Sequence, residues 1–402
     1  MTTVAIISEY NPFHTGHKYQ IDKIRTEYGD DTRVISIMSG NYVQRGDIAV
    51  LDKYLRAECA VRCGVNLVLE LPFPFSVSSA EFFAKAAVKI IDDIGVADIL
   101  SFGSEAGDIN TLKDISDNMI SKKYQKKVKD LLSSPISDNL GYPTVCEMAY
   151  KELYGYDGSF FTPNNILAIE YLKAIKTNKS KLLPHTIKRQ GTPYSSENIT
   201  DALLPSATSI RKILESSPIS ALEYFPKEIK KVFSDFILKK ETPCDSEKLS
   251  SLIISHFSLY SANEKKIHDT EGGLYNRLRN ASLNATDIPS LIDSAKSKKF
   301  TTARIRRGIW YSLFGVTSSD MNELPQYTQA LAMDKTGMGL MKEIKKISRI
   351  PILTKPSSYD FLSDTAKRQK ECSDKADYVF QLTKPISAPA SDAMRKTPFI
   401  LK

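Results

Sequence analysis

The sequence predicts an α/β protein with two domains: a first domain built on a parallel sheet, and a mainly helical second domain with a small α/β element. Two observations predict the first domain. Short apolar segments alternate with helical patterns over about two hundred residues, and these segments are apolar on both faces, as strands covered by helices must be. A third observation, the change to helical patterns near Ser217 and Pro218, places the boundary and gives domains 1–216 and 217–402.

The elements of the first domain follow one another as strand and helix. The predicted strands are TVAIIS, RVISIM, NLVLEL, ADILSFG and LLPHTIKR. The predicted helices begin near Gly16 and then cover KYLRAECAVRC, SSAEFFAKAAVKIIDDIG, TLKDISDNMISKKYQKKVKDLL, NNILAIEYLKAI and SATSIRKIL. This order is typical of successive βαβ units.

Helical patterns dominate the second domain. The predicted helices are PKEIKKVFSDFIL, SEKLSSLIISHFSLYSA, LYNRLRNAS, IPSLIDSAKS and TARIRRGIWYSLFG. After Pro325 the segments YTQALAMD, GMGLMKEIKKI and IPILTK predict a small βαβ element, and a further helix covers DTAKRQKECSDKADYVFQL.

Composition limits the function classes. With 402 residues and 42% hydrophobic side chains, the chain is long enough for two or three cores, which excludes global disorder. The net charge of +8 permits a polyanionic partner. No signal peptide and no run of about 20 apolar residues is visible, so we expect a cytoplasmic protein without a membrane partner. Five scattered cysteines favour reduced thiols and no metal site.

The first motif is SEYNPFHTGHKYQI, directly after the first predicted strand. Ligands of open parallel sheets bind beyond the carboxyl ends of the strands, and the following helix offers free N–H groups to an anion. The motif is neither GxGxxG nor a P-loop, so His14 and His17 are predicted to donate to phosphates instead. A metal site or a purely structural pair are the alternatives.

The second motif is PSATSIRKI, residues 205–213, which opens a late helix. By itself it is also compatible with an ordinary capped helix. Together, the two motifs resemble the signatures of the nucleotidyltransferase superfamily that shares its HIGH motif with class I aminoacyl-tRNA synthetases. The resemblance implies that the first domain is a Rossmann-like HIGH-type nucleotidyltransferase domain.

A longer resemblance extends over nearly the whole chain. The segments EYNPFHTGH, MSGNYVQRGDIAVLDKYLRAECAVRCGVNLVLELP, LSFGSEAGD, PNNILAIEYLKAI, TIKRQG and PSATSIR are similar, in this order, to the tRNA(Met) cytidine acetate ligase family. EGGLYNRL, KSKKFTTARIRRGIWYSLFG and IPILTK continue the resemblance. It implies an ATP-dependent ligase that forms N4-acetylcytidine at the wobble position of elongator tRNA(Met), through acetyl adenylate and with pyrophosphate release.

The resemblance also implies an ATP site, with Mg²⁺ expected alongside ATP and no dedicated metal ligands. His14, His17 and Lys53 are predicted as catalytic. The predicted ATP-binding residues are Ile7, Ser8, Glu9, Tyr10, Asn11, Pro12, Phe13, His14, Thr15, Gly16, His17, Lys18, Tyr19, Gln20, Gly103, one of Asn164 and Asn165, Arg189, Ser206 and Thr208.

A second loop, SGNYVQRGDIAVLDK, follows the second predicted strand. Its position and its polar side chains predict that Asn41, Gln44 and Arg45 form the pocket for acetate or the target cytidine. The alternative is a charged loop closed by a salt bridge, and Lys53 at its end is compatible with either interpretation.

Two basic clusters predict contact with the anticodon region of the tRNA. The predicted residues are Lys298, Lys299, Arg304, Arg306 and Arg307 in the first cluster, and Lys345 and Lys346 in the second. Solvated helix faces are the alternative for either cluster. Phe300, Trp310 and Tyr311 are predicted mainly as core residues.

Two other functions stay open at this point. One is a nucleotidyltransferase or acyl ligase that acts on a small molecule or a carrier protein. The other is a nucleotide-sensing RNA-binding protein without catalysis, which the intact His-x-Gly-His pair disfavours. No protein partner is predicted.

Overall fold

The structure is a computed structural model that describes residues 1–135, 140–155, 160–189, 206–259, 266–386 and 389–402. Gln190, Gly191 and Pro205, which belong to the motifs TIKRQG and PSATSIR, lie outside the described residues. No helix in the described part of the chain has the length and apolar character needed to span a bilayer.

Eight strands of the described chain form one mixed sheet. They are β1 (Thr3–Ser8), β2 (Arg33–Ser39), β3 (Leu67–Leu71), β4 (Ile99–Ser104), β5 (Leu183–Lys188), β6 (Thr328–Met333), β7 (Ile352–Leu353) and β8 (Phe399–Ile400). The order is β5-β4-β1-β2-β3-β6-β7, with β8 also paired to β6. The first five strands are parallel, which confirms the predicted α/β class.

Helices connect and cover these strands. In the first half they are α1 (Thr15–Tyr28), α2 (Lys53–Arg62), α3 (Ala80–Ile94), α4 (Ile109–Ile120), α5 (Lys122–Leu132), α6 (Tyr142–Tyr154), α7 (Pro163–Thr177) and α8 (Ala207–Ser216). In the second half they are α9 (Lys227–Leu238), α10 (Ser250–Leu259), α11 (Leu274–Ser282), α12 (Ile288–Ala295), α13 (Thr302–Phe314), α14 (Ser318–Asn322), α15 (Lys335–Ile347), α16 (Asp364–Gln381) and α17 (Ala390–Arg395).

Each face of the sheet has its own core. Ala5 and Ile35 belong to a large cluster with side chains of α3, α7 and α10 to α13, whereas their neighbours Val4 and Val34 pack with α1, α2, α8 and α9. Successive strand residues point to opposite faces, so both faces must be apolar, as the sequence predicted. All five cysteines are free thiols, and all except Cys372 are buried.

The predicted small α/β element is present as β6-α15-β7, but it is joined to the main sheet. β6 pairs antiparallel with β3, with Leu67 opposite Met333, and Thr328 Oγ1 donates to the Glu70 carbonyl oxygen at 2.7 Å. One sheet therefore spans both predicted domains. Hydrophobic pattern alone could not predict this pairing, because a buried strand has the same pattern whichever neighbour it joins.

The start of α15 packs so closely on β3 that only glycine fits at position 337. A Cβ atom on Gly337 would lie 2.0 Å from the Asn66 carbonyl oxygen, whereas one on Gly339 would meet nothing within 4 Å. We expect Gly337→Ala to lower the free energy of unfolding by about 1–3 kcal/mol. Gly339→Ala should raise it by about 0.5–1 kcal/mol, because alanine favours a helix interior. Denaturant unfolding of Gly337→Ala and Gly339→Ala measures both changes. Equal changes in the free energy of unfolding would contradict the close packing at Gly337.

Candidate active site

A cavity, called here the first cavity, opens at the carboxyl ends of β1, β4 and β5. Eight residues of the first motif and the preceding Ile7 line it; the motif residues are Ser8, Glu9, Asn11, His14, Gly16, His17, Tyr19 and Gln20. The other predicted residues that line it are Gln44, Arg45, Gly103, Asn164, Arg189 and Ser206. The structure therefore brings together segments that lie up to two hundred residues apart in sequence.

His14 and His17 form a reciprocal cap at the start of α1. The Gly16 amide donates to His14 Nδ1 at 3.0 Å, and the His14 amide donates to His17 Nδ1 at 3.2 Å. The two rings lie 4.0 Å apart, centroid to centroid. Gly16 is needed because a Cβ atom there would lie 2.8 Å from His14 Cε1. The spacing His-x-Gly-His is thus explained by local packing.

The cap also determines which ring nitrogen carries the proton. Because each Nδ1 accepts from a backbone N–H, each neutral ring must carry its proton on Nε2. Burial, followed by the charges of Arg189 and Arg211, lowers the pKa of His14 to about 3. Burial also lowers the pKa of His17 well below its usual value. Near neutral pH the pair therefore offers two neutral Nε2–H donors.

Cationic side chains surround the same cavity. Arg211, in the first turns of α8, donates to the Asn11 carbonyl oxygen at 2.9 Å and to Thr208 Oγ1 at 3.0 Å. Arg189 donates to Asn164 Oδ1 at 3.0 Å, and Lys188 also lines the cavity. With the N-termini of α1 and α8 nearby, the cavity has the electrostatic character of a polyphosphate site.

The two candidate asparagines of α7 have different surroundings. Asn165 is buried, and its Oδ1 accepts from the amides of Glu105 and Ala106 at 3.0 and 3.1 Å, so it supports the loop after β4. Asn164 lines the cavity and contacts Arg189. Geometry therefore favours Asn164 as the residue that contacts a ligand.

One wall of the cavity is apolar and was not predicted. It comprises Phe83, Phe102, Leu167, Tyr171 and Ile187. Such a wall, in the same cavity as the cations, is suited to a nucleobase and ribose. These residues belong to ordinary buried strand and helix patterns, so no local signal in the sequence distinguishes them from core. Arg211 and Lys188 were also absent from the predicted site, although Arg211 belongs to the second motif.

The loop after β2 contributes a third wall. Gln44, Arg45 and Asp47 line the cavity, and Glu9 Oε1 accepts from the Gln44 amide at 2.8 Å. Arg45 has a φ of 76°, an unusual conformation for a residue other than glycine, of the kind that concentrates at functional sites. Burial raises the pKa of Glu9, although Arg211 nearby opposes this effect.

Comparison with known proteins agrees with this geometry. The model of the HIGH Nucleotidyl Transferase family matches residues 1–395. A tRNA(Met) cytidine acetate ligase of Thermoanaerobacter sp. (strain X514) is 36% identical over 384 residues, which cover 92% of this chain and 93% of the relative. The corresponding ligase of Acetivibrio thermocellus is 33% identical over 385 residues, 92% of each chain.

This chain belongs to the tRNA(Met) cytidine acetate ligase family. The solved structure of apo Thermotoga maritima TmcAL superposes with a TM-score of 0.92 at 28% identity and full coverage of both chains. The same protein bound with alpha-thio ATP superposes with a TM-score of 0.89 at 27% identity, again over both full chains.

Two predicted residues of the loop after β2 and its end, Lys53 and Asn41, do not line the first cavity. Lys53 Nζ contacts Glu70 at 2.7 Å and Asp377 at 2.6 Å, and its side chain is 4% exposed. Burial lowers the pKa of Lys53, but Asp377 and Glu70 outweigh this effect, so the pKa is raised overall. Asn41 is also buried, donating to Asp377 Oδ1 at 2.9 Å. The Lys53 amide donates to Asn41 Oδ1 at 2.8 Å, so both residues support the loop after β2, and their predicted roles stay predictions.

Several members of the predicted ATP-binding set do not line the first cavity either. Those that do not line it are Tyr10, Pro12, Phe13, Thr15, Lys18, Asn165 and Thr208. Tyr10 and Phe13 are buried and pack against the His17 ring. Among the described residues, no group of three or more His, Cys, Asp or Glu side chains could hold a metal ion.

The two basic clusters expected to bind tRNA are separated. In the first, Lys298 and Lys299 are exposed, while Arg306 pairs with Asp47 of the cavity and Arg304 and Arg307 pair with Asp269. In the second, Lys345 and Lys346 follow Glu343, which pairs with Arg33 at the amino end of β2. Only the first cluster therefore borders the cavity. Phe300, Trp310 and Tyr311 are buried, as predicted.

The lowered pKa of His14 predicts an acid-sensitive fold. Below pH 6.5 the unfolded chain binds a proton at His14 that the folded chain does not, so unfolding becomes easier as pH falls toward about 3. Relative to His14→Asn, the wild-type free energy of unfolding should fall by about 1.4 kcal/mol for each pH unit below 6.5. Unfolding of both proteins at about pH 7 and about pH 5.5 measures this. Parallel pH profiles would contradict it.

Proposed function

We propose that this chain is an ATP-dependent acetate ligase that forms N4-acetylcytidine at the wobble position of elongator tRNA(Met). The observation that carries the proposal is the pair of Nε2–H donors in a cation-lined cavity, in a chain that belongs to the tRNA(Met) cytidine acetate ligase family. A relative of known structure binds alpha-thio ATP. This combination fits activation of a carboxylate by a nucleotide.

In the first step, an acetate oxygen attacks the α-phosphorus of ATP and pyrophosphate leaves, which gives acetyl adenylate. Negative charge grows on the α-phosphate oxygens and on the leaving pyrophosphate. Nε2–H groups of His14 and His17 donate to these oxygens, and Arg189 and Arg211 neutralise the polyphosphate. Asn164 and the apolar wall bind the nucleoside. Mg²⁺ accompanies ATP and is held mainly by phosphates and water.

In the second step, the exocyclic N4 of cytidine attacks the acetyl carbonyl carbon. The bond between the acetyl carbon and the phosphate oxygen breaks, AMP leaves with the bonding electron pair, and N4 gives one proton to water. Gln44 and Arg45 border the space beside the phosphate donors, so they are placed to orient acetate or the cytidine. The basic residues near Arg306 bring the anticodon region to this edge of the sheet.

A labelling experiment distinguishes this proposal from the alternatives. The purified protein is incubated with ATP, labelled acetate and total tRNA, and the tRNA is digested to nucleosides. Label in N4-acetylcytidine supports the proposal. Acetate-dependent ATP–pyrophosphate exchange without label in tRNA would indicate another acceptor. Absence of both exchange and labelling would indicate a protein that binds nucleotide and RNA without catalysis.

A matched pair of variants separates the two roles of His14. His14→Asn keeps an acceptor for the Gly16 amide but lacks the Nε2–H donor. His14→Ala lacks both the acceptor and the donor. Both variants should slow acetate-dependent ATP–pyrophosphate exchange about 100-fold, because each lacks a donor to the developing charge. Only His14→Ala should also lower stability, by about 1 kcal/mol. Exchange at the wild-type rate in His14→Asn would contradict the donor role.

The basic face near the cavity predicts a second matched pair. Lys299→Ala and Arg306→Ala should each weaken tRNA binding and reduce the slope of log K against log[salt] by about 1, because each removes a cation facing phosphate. Arg306 pairs with Asp47 of the first cavity. Of the two variants, only Arg306→Ala should therefore also change the rate of acetate-dependent ATP–pyrophosphate exchange measured without tRNA. Lys231→Ala, an exposed lysine of α9, controls for loss of one charge. Identical behaviour of the pair would contradict the link through Asp47.

A further inference from the structure

A second cavity opens at the same edge of the sheet, beyond the ion-pair cluster of Lys53, Glu70 and Asp377. It lies between α16, the segment that follows β7, and the end of α17, and Asp377 forms part of its wall. Residues of β6 and α2, Gln329 and Tyr54, complete the wall. No residue of this cavity belongs to the predicted ATP or acetate sites.

Aromatic and cationic side chains together line this cavity. The aromatic residues are Tyr54, Tyr359 and Tyr378, and the cationic residues are Lys355, Lys370, Lys375 and Lys396. Lys370 pairs with Asp374, and Lys396 pairs with Asp52. Lys355 and Lys375, in contrast, are exposed and have no carboxylate partner among the described residues. Two ammonium groups are therefore available to an anionic ligand.

The tyrosines differ in how much of their rings is already in contact. Lys396 Nζ lies 5.5 Å from the centroid of the Tyr54 ring, and Tyr359 donates its hydroxyl to Glu371 at 2.7 Å. The partly exposed Tyr378 ring has no aromatic or cationic partner within the described residues. Tyr378 is therefore the ring most available for stacking against a planar ligand.

The two cavities are close neighbours. Asp377, in the wall of the second cavity, accepts from Asn41 Nδ2 at 2.9 Å. Asn41 precedes Gln44, which lines the first cavity, by three residues, and three residues of chain span at most about 11 Å. A single RNA strand whose target base enters the first cavity is thus within reach of the second.

We infer that the second cavity binds an unpaired nucleotide of the same RNA, next to or near the target cytidine, by stacking its base on Tyr378 and pairing its phosphate with Lys355 or Lys375. Aromatic stacking combined with basic groups is the usual way in which proteins bind single-stranded bases. Gln329 and Glu371, which contact the hydroxyls of Tyr54 and Tyr359, line the same cavity and add polar groups to its wall. This inference rests on the proposed function, since it assumes that the chain binds a tRNA anticodon region.

Abasic substitution tests the inference directly. Each anticodon-loop nucleotide other than the target cytidine is replaced in turn by an abasic nucleotide, which keeps the phosphate, and the Kd of each tRNA is measured. For the wild type, one such replacement should weaken binding about tenfold or more, because the base no longer stacks. The abasic ratio is the Kd of that abasic tRNA divided by the Kd of the native tRNA. It should fall to about 1 in Tyr378→Leu, whereas Tyr378→Phe should keep the wild-type ratio.

Lysine variants provide the matched measurement for the phosphate. The double variant Lys355→Ala/Lys375→Ala should weaken binding of native and abasic tRNA by the same factor, and Lys231→Ala should change neither. Thermal unfolding of Tyr378→Leu and Tyr378→Phe shows whether both variants fold. If Tyr378→Leu does not fold, wild-type affinity of the double lysine variant for native tRNA would overturn the inference. A wild-type abasic ratio that is retained in Tyr378→Leu would overturn the inference.

Free nucleotides form the second arm, with CMP, UMP and AMP titrated separately. Binding of a free nucleotide that Tyr378→Leu abolishes, together with no abasic effect in tRNA, would overturn the assignment to RNA in favour of a free-nucleotide site. Failure of the proposed function is scored separately, as loss of acetate-dependent ATP–pyrophosphate exchange and of acetate transfer to native tRNA in the wild type. The abasic ratio is measured by binding alone, so the two failures are distinguishable.

Discussion

A fully buried guanidinium, that of Arg56, holds the two ligand loops at the ends of their strands. Arg56 lies in α2 and donates to the carbonyl oxygens of Glu9, Ser39, Gly40 and Leu51. A buried guanidinium must have its N–H groups satisfied, and here backbone carbonyls satisfy them in place of a carboxylate. Burial lowers the pKa of Arg56 to about 10, which still leaves it charged at neutral pH. One side chain thus connects the end of β1, the end of β2 and the start of α2.

The loop after β2 also depends on both halves of the chain. Trp310 Nε1 of α13 donates to the Gly46 carbonyl oxygen at 2.7 Å, and a Cβ atom on Gly46 would lie 2.5 Å from Arg306 Cβ. From the other side, Tyr42 donates to the Ala376 carbonyl oxygen of α16 at 3.1 Å. The C-terminal helices therefore shape a wall of the first cavity, as well as carrying the residues proposed to contact RNA. Binding at the basic face and chemistry in the cavity share this loop.

The fold and the first motif both have local signals in the sequence. The strands and helices follow from the periodicity of hydrophobic residues, so the fold class was predictable. His14 and His17 lie directly after β1, where ligands of parallel sheets bind, so the motif was predictable too. The burial of Lys53 against Asp377 was not predictable, because Asp377 lies 324 residues away and no local pattern shows whether a lysine faces a cavity or a buried carboxylate. The choice between Asn164 and Asn165 likewise depends on helix rotation, which adjacent residues in a single sequence do not reveal.

The neutral state of the histidine pair determines how it can assist the reaction. Protonating His14 in the free site at pH 7 would cost on the order of 5 kcal/mol, because its pKa is about 3. A proton shuttle needs a pKa near the working pH, so the pair is poorly suited to acid–base work before substrate binds. Its Nε2–H groups are, however, oriented by the helix cap and need no proton transfer to stabilise charge. The arginines supply the positive charge, and the imidazoles supply fixed donors whose hydrogen bonds strengthen as the α-phosphate gains charge.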